Sequence, residues 1–499
     1  MKKRFKLILL SGLMMTLLNA CTLRSEFNRP EIISDQSRLF LNTGGQLHTP
    51  ETIERWWERL NDPILNSHVE ELLRNNLTLI EASERLVQAR ERYQIQQGPL
   101  YPGLSAGANA SRSFTPANSF AVTSAAGSGE SRRIYNTNLS ADLSVSWQAD
   151  LFGRIQSSID AAHAGLVATE FDRQAIVHTL IADLLSRRVS IAINRELLVL
   201  ANDVATNQRF LFDIVKRRYD LGTANTDLVD VYLAEENMRS VESDIHIFER
   251  QLTTESYQLD ILLGKTPGAT SVSRSAFPLL PPPRDVLSCL PVDLLDRRPD
   301  LKAAEMRLAA ADAEIGIAIA DLYPGINLGA TLGVNGDQIS NLFTPEQLAG
   351  SLLANITSRL FEGGSLRANI RLQESEARES SARYANSVLN ALREVETALN
   401  AELELQKELI LQQQSIEAIR NAEGISQTRY QQGIETLRQY LEVQQRRYLI
   451  EQNWLRFQQQ VWTNRINLYL ALGGDWVAEN INTTNTNDFC KPVTKDKII

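Results

Sequence analysis

The stretch "LYPGLSAGANA" at residues 100–110 returns as "LYPGINLGATL" at residues 322–332. Each copy opens with Leu-Tyr-Pro-Gly and continues with apolar residues at alternate positions. Proline ends a helix, glycine permits a bend, and alternation is typical of a strand. The repeated stretch therefore predicts two units built on one plan, each with a turn from helix into strand.

Four segments show this alternation, and each is about ten residues long, the length of a tilted strand that crosses a bilayer. They run over residues 104–110, 138–147, 326–334 and 352–360. Apolar residues would point outward and polar residues inward. A soluble antiparallel sheet with one buried face fits the same pattern. Aromatic residues near the strand ends favour the membrane, namely Phe114, Tyr135, Trp147 and Phe361.

Long helices are predicted in the two spans without proline, over residues 154–221 and 365–432. Apolar residues recur there at helical spacing, and a helix of about 65 residues is roughly 100 Å long. Each long helix ends in the same motif, since Arg218-Tyr219-x-x-Gly222 matches Arg429-Tyr430-x-x-Gly433. Glycine after a helix is the usual left-handed cap. Returning helices are expected over about 227–264 and 436–472, and shorter helices before the strands over about 64–97 and 293–321.

The N-terminus has the features of a lipoprotein signal, predicted over residues 1–20. Lys2, Lys3, Arg4 and Lys6 precede an apolar run that is too short to anchor in a bilayer, and "LNAC" follows at 18–21. This pattern resembles a bacterial lipoprotein cleavage box and implies that Cys21 carries covalent lipid, palmitate included. An ordinary signal peptide with a chance cysteine is the alternative. Thr22 in place of aspartate favours sorting to the outer membrane.

The remaining domain boundaries follow from composition. Seven of the sixteen prolines lie within residues 267–299, which marks a linker. The predicted plan begins with a lipidated N-terminal linker (residues 21–60) and repeat 1 (61–265), which has a hairpin at about 104–147. A proline-rich linker (266–292) leads to repeat 2 (293–475), which has a hairpin at about 326–359. A loose tail follows (476–499). The polar stretch 115–138 is predicted to be the extracellular loop of the first hairpin.

Charge and cysteine content exclude some classes of protein. The formal net charge is −9 and no basic run follows the signal, so nucleic-acid binding is not expected. The five histidines are scattered, no metal-ligand spacing or nucleophile motif occurs, and no cofactor is expected. We therefore predict no enzyme. Cys289 and Cys490 could form a disulfide in the oxidising periplasm or remain free thiols.

Four strands cannot close a barrel, and open strand edges are not tolerated in lipid. Several copies of the chain must then share one barrel if the strands span the membrane. Two copies give eight strands and three give twelve. Small polar residues on the inward face suit a water-filled lumen, which the larger barrel provides.

These features together resemble the outer-membrane efflux factor family of the TolC and OprM type, in its lipoprotein, NodT-like branch. The motifs cover nearly the whole mature chain; they are "WWERLNDPILNSHVEELLRNNLTL" at 56–79, "LYPGLSAGA" at 100–108, "WQADLFGRI" at 147–155, "LLDRRPDLKAAE" at 294–305, "LYPGINLGA" at 322–330, "LFEGGSLRA" at 360–368 and "LYLALGGDW" at 468–476. The resemblance implies a mainly α protein with membrane β-strands: a homotrimer with a twelve-stranded outer-membrane barrel and a long periplasmic helical tunnel.

The resemblance also implies a function and a gate. The function is a passive exit duct, in the outer membrane of a Gram-negative bacterium, for drugs and small amphiphiles. A periplasmic adaptor and an inner-membrane pump of the proton-driven multidrug type would deliver them. The gate would lie at the periplasmic helical tips, with candidate residues Tyr219, Gly222, Asp227, Asp230, Tyr430, Gly433, Arg438, Glu442 and Arg446.

Glu442 could form a cation-attracting ring in the trimer, with Arg438 and Arg446 compensating its charge. Glu442 and Asp230 could instead be solvated charges on an outer face. Three other functions stay open: a duct for metal ions, a duct for polypeptides secreted by an ATP-driven (type I) pump, and a structural coiled-coil lipoprotein without a channel.

Overall fold

The structure, a computed structural model, describes residues 27–30, 32, 56–60, 62–116, 133–222, 227–269, 277–279 and 293–473. Several predicted features lie outside these residues: the lipidation site Cys21, the cysteines Cys289 and Cys490, the signal peptide and the tail 476–499. The chain divides into two compact units. The sheet unit comprises the described residues within 1–30, 87–168 and 305–383, and the hairpin unit comprises the described residues within 31–86, 169–304 and 384–499.

Helices account for most of the described residues. The helices are α1 (Pro63–Asn75), α2 (Leu77–Gln97), α3 (Arg154–Asp220), α4 (Leu228–Leu262), α5 (Asp293–Arg297), α6 (Pro299–Ala320), α7 (Ser365–Gln431) and α8 (Leu437–Ala471). The strands are β1 (Gly103–Pro116), β2 (Arg133–Ala149), β3 (Gly325–Gly336) and β4 (Leu348–Thr357). In the described part of the chain, no helix combines the length and hydropathy needed to cross a membrane.

The four strands form one antiparallel sheet in the order β1-β2-β3-β4. Its register gives the sheet one apolar and one polar face, because directly paired residues share a face. Leu104 pairs with Val145, and Val145 pairs with Ala330 on the next strand. On the other face Ser105 pairs with Ser144, and Ser144 pairs with Thr331. The alternation seen in the sequence thus becomes a sheet with two distinct faces.

The first two strands are longer than the predicted ten residues. β1 has 14 residues and β2 has 17, and Phe114 pairs with Tyr135 near their far ends. The hydrogen-bonded ladder continues there although Arg112 interrupts the apolar alternation. Strand pairing is made by backbone groups, so it extends beyond the segment in which side chains alternate. The predicted loop 115–138 is correspondingly shorter, and its residues 117–132 lie outside the described residues.

The helix predicted at 64–97 is two helices, which corrects the sequence-based prediction. Asn76 separates α1 from α2 with an extended backbone, ψ 122°. Its backbone N–H donates to the Leu72 carbonyl over 2.9 Å, and its side-chain oxygen accepts from the Leu79 N–H over 3.0 Å. One asparagine therefore ends one helix and caps the next. Apolar periodicity continues across this break and hides it.

The helix predicted at 293–321 is also divided, at Arg298 between α5 and α6. Pro299 disfavours helical backbone in the residue before it. The Arg298 side chain is buried and donates to the carboxylates of Asp300 at 2.7 Å and Glu394 at 2.8 Å, and to the Ala471 carbonyl at 3.2 Å. The arginine of the "RRPDL" motif thus holds the end of α8 against the start of α6.

The core of the hairpin unit combines residues from α1, α3, α4 and α8. Trp462, 1% exposed, packs against Phe277 with ring centroids 5.2 Å apart, and its indole N–H donates to the Pro278 carbonyl over 3.0 Å. Phe277 and Pro278 belong to the predicted linker, so part of that linker is fastened to the core. Each fully buried side chain of this kind stabilises the fold by about 2 kcal/mol.

Candidate functional site at the helical tips

The structure places the predicted tip residues at two helix–turn–helix junctions, which we call the first tip (α3 to α4) and the second tip (α7 to α8). Gly222 and Gly433 follow the long helices and adopt left-handed φ angles of 62° and 75°. Their N–H groups donate to the carbonyls of Tyr219 and Tyr430 over 2.9 and 3.0 Å. The repeated motif therefore ends both long helices with the same tight turn, as predicted.

At the first tip, the two candidate carboxylates cap α4. The Asp230 N–H donates to the Asp227 side chain over 2.9 Å, and the Asp227 N–H donates to the Asp230 side chain over 3.2 Å. This reciprocal capping box satisfies two backbone donors that would otherwise have no partner within the helix. Both carboxylates thus have a structural role at the start of α4. Residues 223–226 of this turn lie outside the described residues.

At the second tip, Thr436 and Gln439 make the corresponding capping box for α8. Glu435 adds a second fastening inside this hairpin. It accepts from the Ser426 hydroxyl over 2.6 Å and from the Arg429 guanidinium over 3.4 Å. Because Ser426 is buried, Glu435 ties the turn to the last turns of α7.

An arginine and two tyrosines connect the two tips. Tyr430 stacks on Tyr440, with ring centroids 5.2 Å apart and an interplanar angle of 11°. The Arg218 guanidinium donates to the Tyr430 hydroxyl over 3.3 Å and lies 5.8 Å from the centroid of its ring. The arginine of the first repeated motif thus contacts the tyrosine of the second.

Burial perturbs both tyrosines of this stack. Burial raises the pKa of Tyr440 to about 12, and the nearby Glu423 carboxylate adds to the shift. Burial also raises the pKa of Tyr430, with Arg218 opposing this and Asp230 reinforcing it. Both phenols are therefore neutral at physiological pH and act as hydrogen-bonding groups.

A polar ladder continues from Tyr440 along α8. Gln444 donates to the Tyr440 hydroxyl over 2.7 Å, and Gln208 of α3 donates to Gln444 over 3.2 Å. Further along, the Tyr448 hydroxyl donates to Asp244 of α4 over 3.0 Å. These contacts join the first hairpin to the second. The apolar tip cluster beside them contains Leu211, Val215, Val231, Ala234, Leu437, Tyr440 and Leu441.

The structure does not bring together the predicted charges around Glu442. Glu442, Arg438 and Arg446 are all exposed on α8, and within the described part of the chain Glu442 makes no ion pair with either arginine. The expected compensation of Glu442 by these two arginines is therefore absent from the single chain. Its place on an outward or inward side of an assembled ring stays a prediction.

Sequence reasoning missed Arg218, Tyr440 and the ion network beneath them. Arg447 pairs with Glu423 at 2.5 Å and with Glu451 at 3.3 Å, and Arg420 pairs with Glu451 at 2.9 Å. Arg218 could have been identified from the sequence, because it adjoins Tyr219 in the repeated motif. No sequence feature identifies Tyr440 or Arg447, since their partners are contributed by other helices. Among the described residues no group of side chains has the composition of a metal site.

Comparison with known proteins supports one family. The family described as "Outer membrane efflux protein" matches residues 68–265 and 290–474. The chain is 30% identical to the "Pyoverdine export outer membrane protein OpmQ" of Pseudomonas putida, over 86% of this chain and 89% of that protein. It is 28% identical to the "Toluene efflux pump outer membrane protein TtgC" of Pseudomonas putida, over 84% and 85% of the two chains.

The fold agrees with that of solved efflux channels. The structure of the outer-membrane channel OprN superimposes with a TM-score of 0.80 at 25% sequence identity, and the match covers 92% of this chain and all of that one. The predicted fold class, mainly helical with membrane strands, is confirmed by this likeness. The family matches both repeats, and the two long helical hairpins and the two-faced sheet agree with that match. The chain belongs to the outer membrane efflux protein family.

Proposed function

We propose that this chain is the outer-membrane exit duct of a tripartite efflux system and that it acts as a homotrimer. The observation that carries this proposal is the two-faced sheet. Leu352, Ile356 and Leu332 lie on its apolar face and are 90%, 68% and 53% exposed in the single chain. A face of this kind suits lipid, whereas the serine-rich and asparagine-rich face suits water.

The trimer follows from the strand order. β1 and β4 are the outer strands of the sheet, and each leaves one edge for further pairing. Lipid offers no partner for an open strand edge. Pairing β4 of one copy with β1 of the next closes three sheets into twelve strands, whose lumen is wide enough for water and solutes.

We further propose that a periplasmic adaptor and an inner-membrane pump dock at the tips and that the cargo consists of drugs and other small amphiphiles. Relatives named for pyoverdine export and toluene efflux support small organic cargo. The pump selects the substrate, and the duct contributes no catalysis. Metal ions and secreted polypeptides remain alternative cargo, and a coiled-coil lipoprotein without a channel is the alternative of another class.

The N-terminal pattern supports a lipid anchor as part of the proposal. Cys21 would carry palmitate and hold the chain at the outer membrane, while the helices extend into the periplasm. The Cys21→Ser variant should lose incorporation of labelled palmitate. Non-reducing peptide mapping would decide between a Cys289–Cys490 disulfide and two free thiols.

The proposed partners can be tested by photo-crosslinking in cells from Leu221 and Ile434, which are 73% and 69% exposed beside the two tip glycines. Capture of an adaptor with a proton-driven pump is the expected result. Capture of an ATP-driven secretion pump would move the function to polypeptide export. Crosslinks confined to copies of this chain would favour the structural alternative.

The proposed gate role of Glu442 can be tested by conductance in planar bilayers. Replacing the glutamate side chain by a methyl group should widen a ring at the narrowest point, so Glu442→Ala is expected to raise conductance at rest. Gln445→Ala, at an exposed neutral position of the same helix, serves as the control. Equal conductance of the two variants would show that Glu442 is not part of the gate.

A further inference from the structure

One row of paired residues across the sheet differs from all its neighbours. In this row Gly107 pairs with Asp142, Asp142 pairs with Gly333, and Gly333 pairs with Ala349. The rows on the same face nearest to it present hydroxyl and amide side chains. Asp142 is therefore the only residue of its row with a side chain larger than a methyl group.

The glycines on both sides leave room for the Asp142 side chain alone. A Cβ placed on Gly333 would lie 2.8 Å from the Cβ of Asp142 and 2.7 Å from the Ala141 carbonyl oxygen. A Cβ placed on Gly107 would lie 3.2 Å from an Asp142 carboxylate oxygen. The two distances at Gly333 are shorter than Cβ contacts in close-packed proteins, and the distance at Gly107 is tight enough to displace the carboxylate. No neighbouring strand can thus cover the flanks of the carboxylate without a shift.

Asp142 is also the only charged residue on the polar face of the described strands. The other charged strand residue with a described side chain, Arg112, pairs with Thr137 and lies on the opposite face. Within the described residues, the Asp142 carboxylate makes neither a hydrogen bond nor an ion pair. A carboxylate without a protein partner requires contact with water or mobile cations.

From this row we infer that three Asp142 carboxylates, one from each copy, form an acidic ring inside the barrel that favours cations and cationic solutes over anions. The inference rests on the proposed trimeric duct. Three-fold symmetry places the three carboxylates at one height in the lumen. The ring lies in the sheet, so it would act separately from any selectivity at the helical tips.

The expected strength follows from elementary electrostatics. A barrel of about twelve strands has a radius of about 12 Å, which puts each carboxylate about 10 Å from the axis. Three such charges, weakened by screening over a Debye length of about 10 Å, enrich cations and deplete anions on the axis by about twofold each. The ring should therefore raise the ratio of cation to anion permeability by about two- to fivefold.

The test is the K⁺/Cl⁻ permeability ratio of the full-length trimer in planar bilayers under a KCl gradient. Asp142→Asn keeps the shape and removes the charge, so the ratio should fall by about two- to fivefold. Asp142→Glu keeps the charge and should keep the ratio. Asp337→Asn, a change of the same kind just beyond β3, is the matched control and should have less effect. Chemical crosslinking confirms that each variant assembles.

The possible outcomes are distinguishable. An Asp142→Asn trimer that conducts with an unchanged ratio overturns the acidic ring and leaves the duct intact. A similar fall of the permeability ratio in Asp142→Asn and Asp337→Asn also overturns the acidic ring, because any carboxylate near the barrel would then account for the cation preference. Absence of conductance from wild type and all variants overturns the proposed duct and, with it, the ring.

Discussion

The two helical tips share a turn but differ in what holds them. Both long helices end in Arg-Tyr-x-x-Gly, and both glycines adopt left-handed backbone. In the first hairpin, Glu242 pairs with Arg209 and Arg239, whose side chains are largely exposed. In the second hairpin, Glu451 is 5% exposed and receives both Arg420 and Arg447.

This difference shows that a duplicated motif preserves backbone geometry more faithfully than side-chain partners. The turn depends on a few local residues, whereas the ion network depends on residues that meet across two helices. Surface ion pairs stabilise by about 0–1 kcal/mol, and breaking a buried one costs several times more. The part of the second hairpin around Glu451 should therefore depend on its charges more strongly than the part of the first hairpin around Glu242.

The largest expected effect is from Glu451→Gln, which removes the carboxylate shared by two arginines. We expect a loss of about 2 kcal/mol of local stability in α8, because an amide cannot replace the charge-assisted contacts that the buried carboxylate makes with Arg420 and Arg447. Native-state hydrogen exchange of the α8 amides measures it. Glu242→Gln in the first hairpin is the matched variant, expected to cost about 1 kcal/mol or less. Equal costs would contradict the contrast between the hairpins.

Alkaline pH should affect the tips through Tyr440. Its pKa is raised from 10 to about 12 in the folded chain, so the folded state retains a proton that the unfolded state releases. The resulting stability is fully present below pH 10 and is lost as pH rises through about 12. The thermal midpoint in detergent should fall over this range, and less so in Tyr440→Phe. An identical slope in wild type and variant would refute the assignment to Tyr440.

Replacing the glycine at either tip should reduce local stability by about the same amount, and by less than Glu451→Gln does. Gly222→Ala and Gly433→Ala each force a Cβ into left-handed backbone at about 1 kcal/mol, although no heavy atom lies within 4 Å of the new Cβ. Gly424→Ala, inside α7 and equally free of contacts, should stabilise by about 1 kcal/mol. Hydrogen exchange near each site gives the three values. A cost at only one tip would show that the two turns are not equivalent.

The smallest effect is expected from Tyr430→Phe. It removes the hydroxyl that accepts from Arg218 over 3.3 Å and keeps the stack on Tyr440, so the cost should be about 0.5 kcal/mol. The counterpart Tyr219→Phe, at a side chain 41% exposed, should change nothing measurable. A double-mutant cycle with Arg218→Gln isolates the contact, and a coupling energy of zero would rule it out.

Much of the fold could be predicted because the elements are long and strongly patterned. The returning helices expected at about 227–264 and 436–472 are found at Leu228–Leu262 and Leu437–Ala471. The breaks at Asn76 and Arg298 escaped prediction because capping and a proline act locally, within an apolar pattern that continues across them. Strand length was underestimated for a related reason, since side-chain alternation ends before backbone pairing does.

The tip was less predictable than the fold. The motif identified Tyr430 and Gly433, and the structure finds both at the turn. It could not identify Tyr440 or Arg447, whose partners lie on neighbouring helices and are fixed only by packing. The exposed charges around Glu442 illustrate the converse: closeness in sequence suggested a pairing that the helix surface does not make.

The pairing of β2 with β3 has a consequence for how this protein is made. It joins residues as distant as Leu139 and Gly336, one from each repeat. Closing so long a loop is slow and entropically costly. Until ribosomes have finished the second repeat, β2 presents an unpaired edge that invites aggregation. Correct biogenesis should thus require a holding chaperone during synthesis and export, and the sheet should be among the last parts to form.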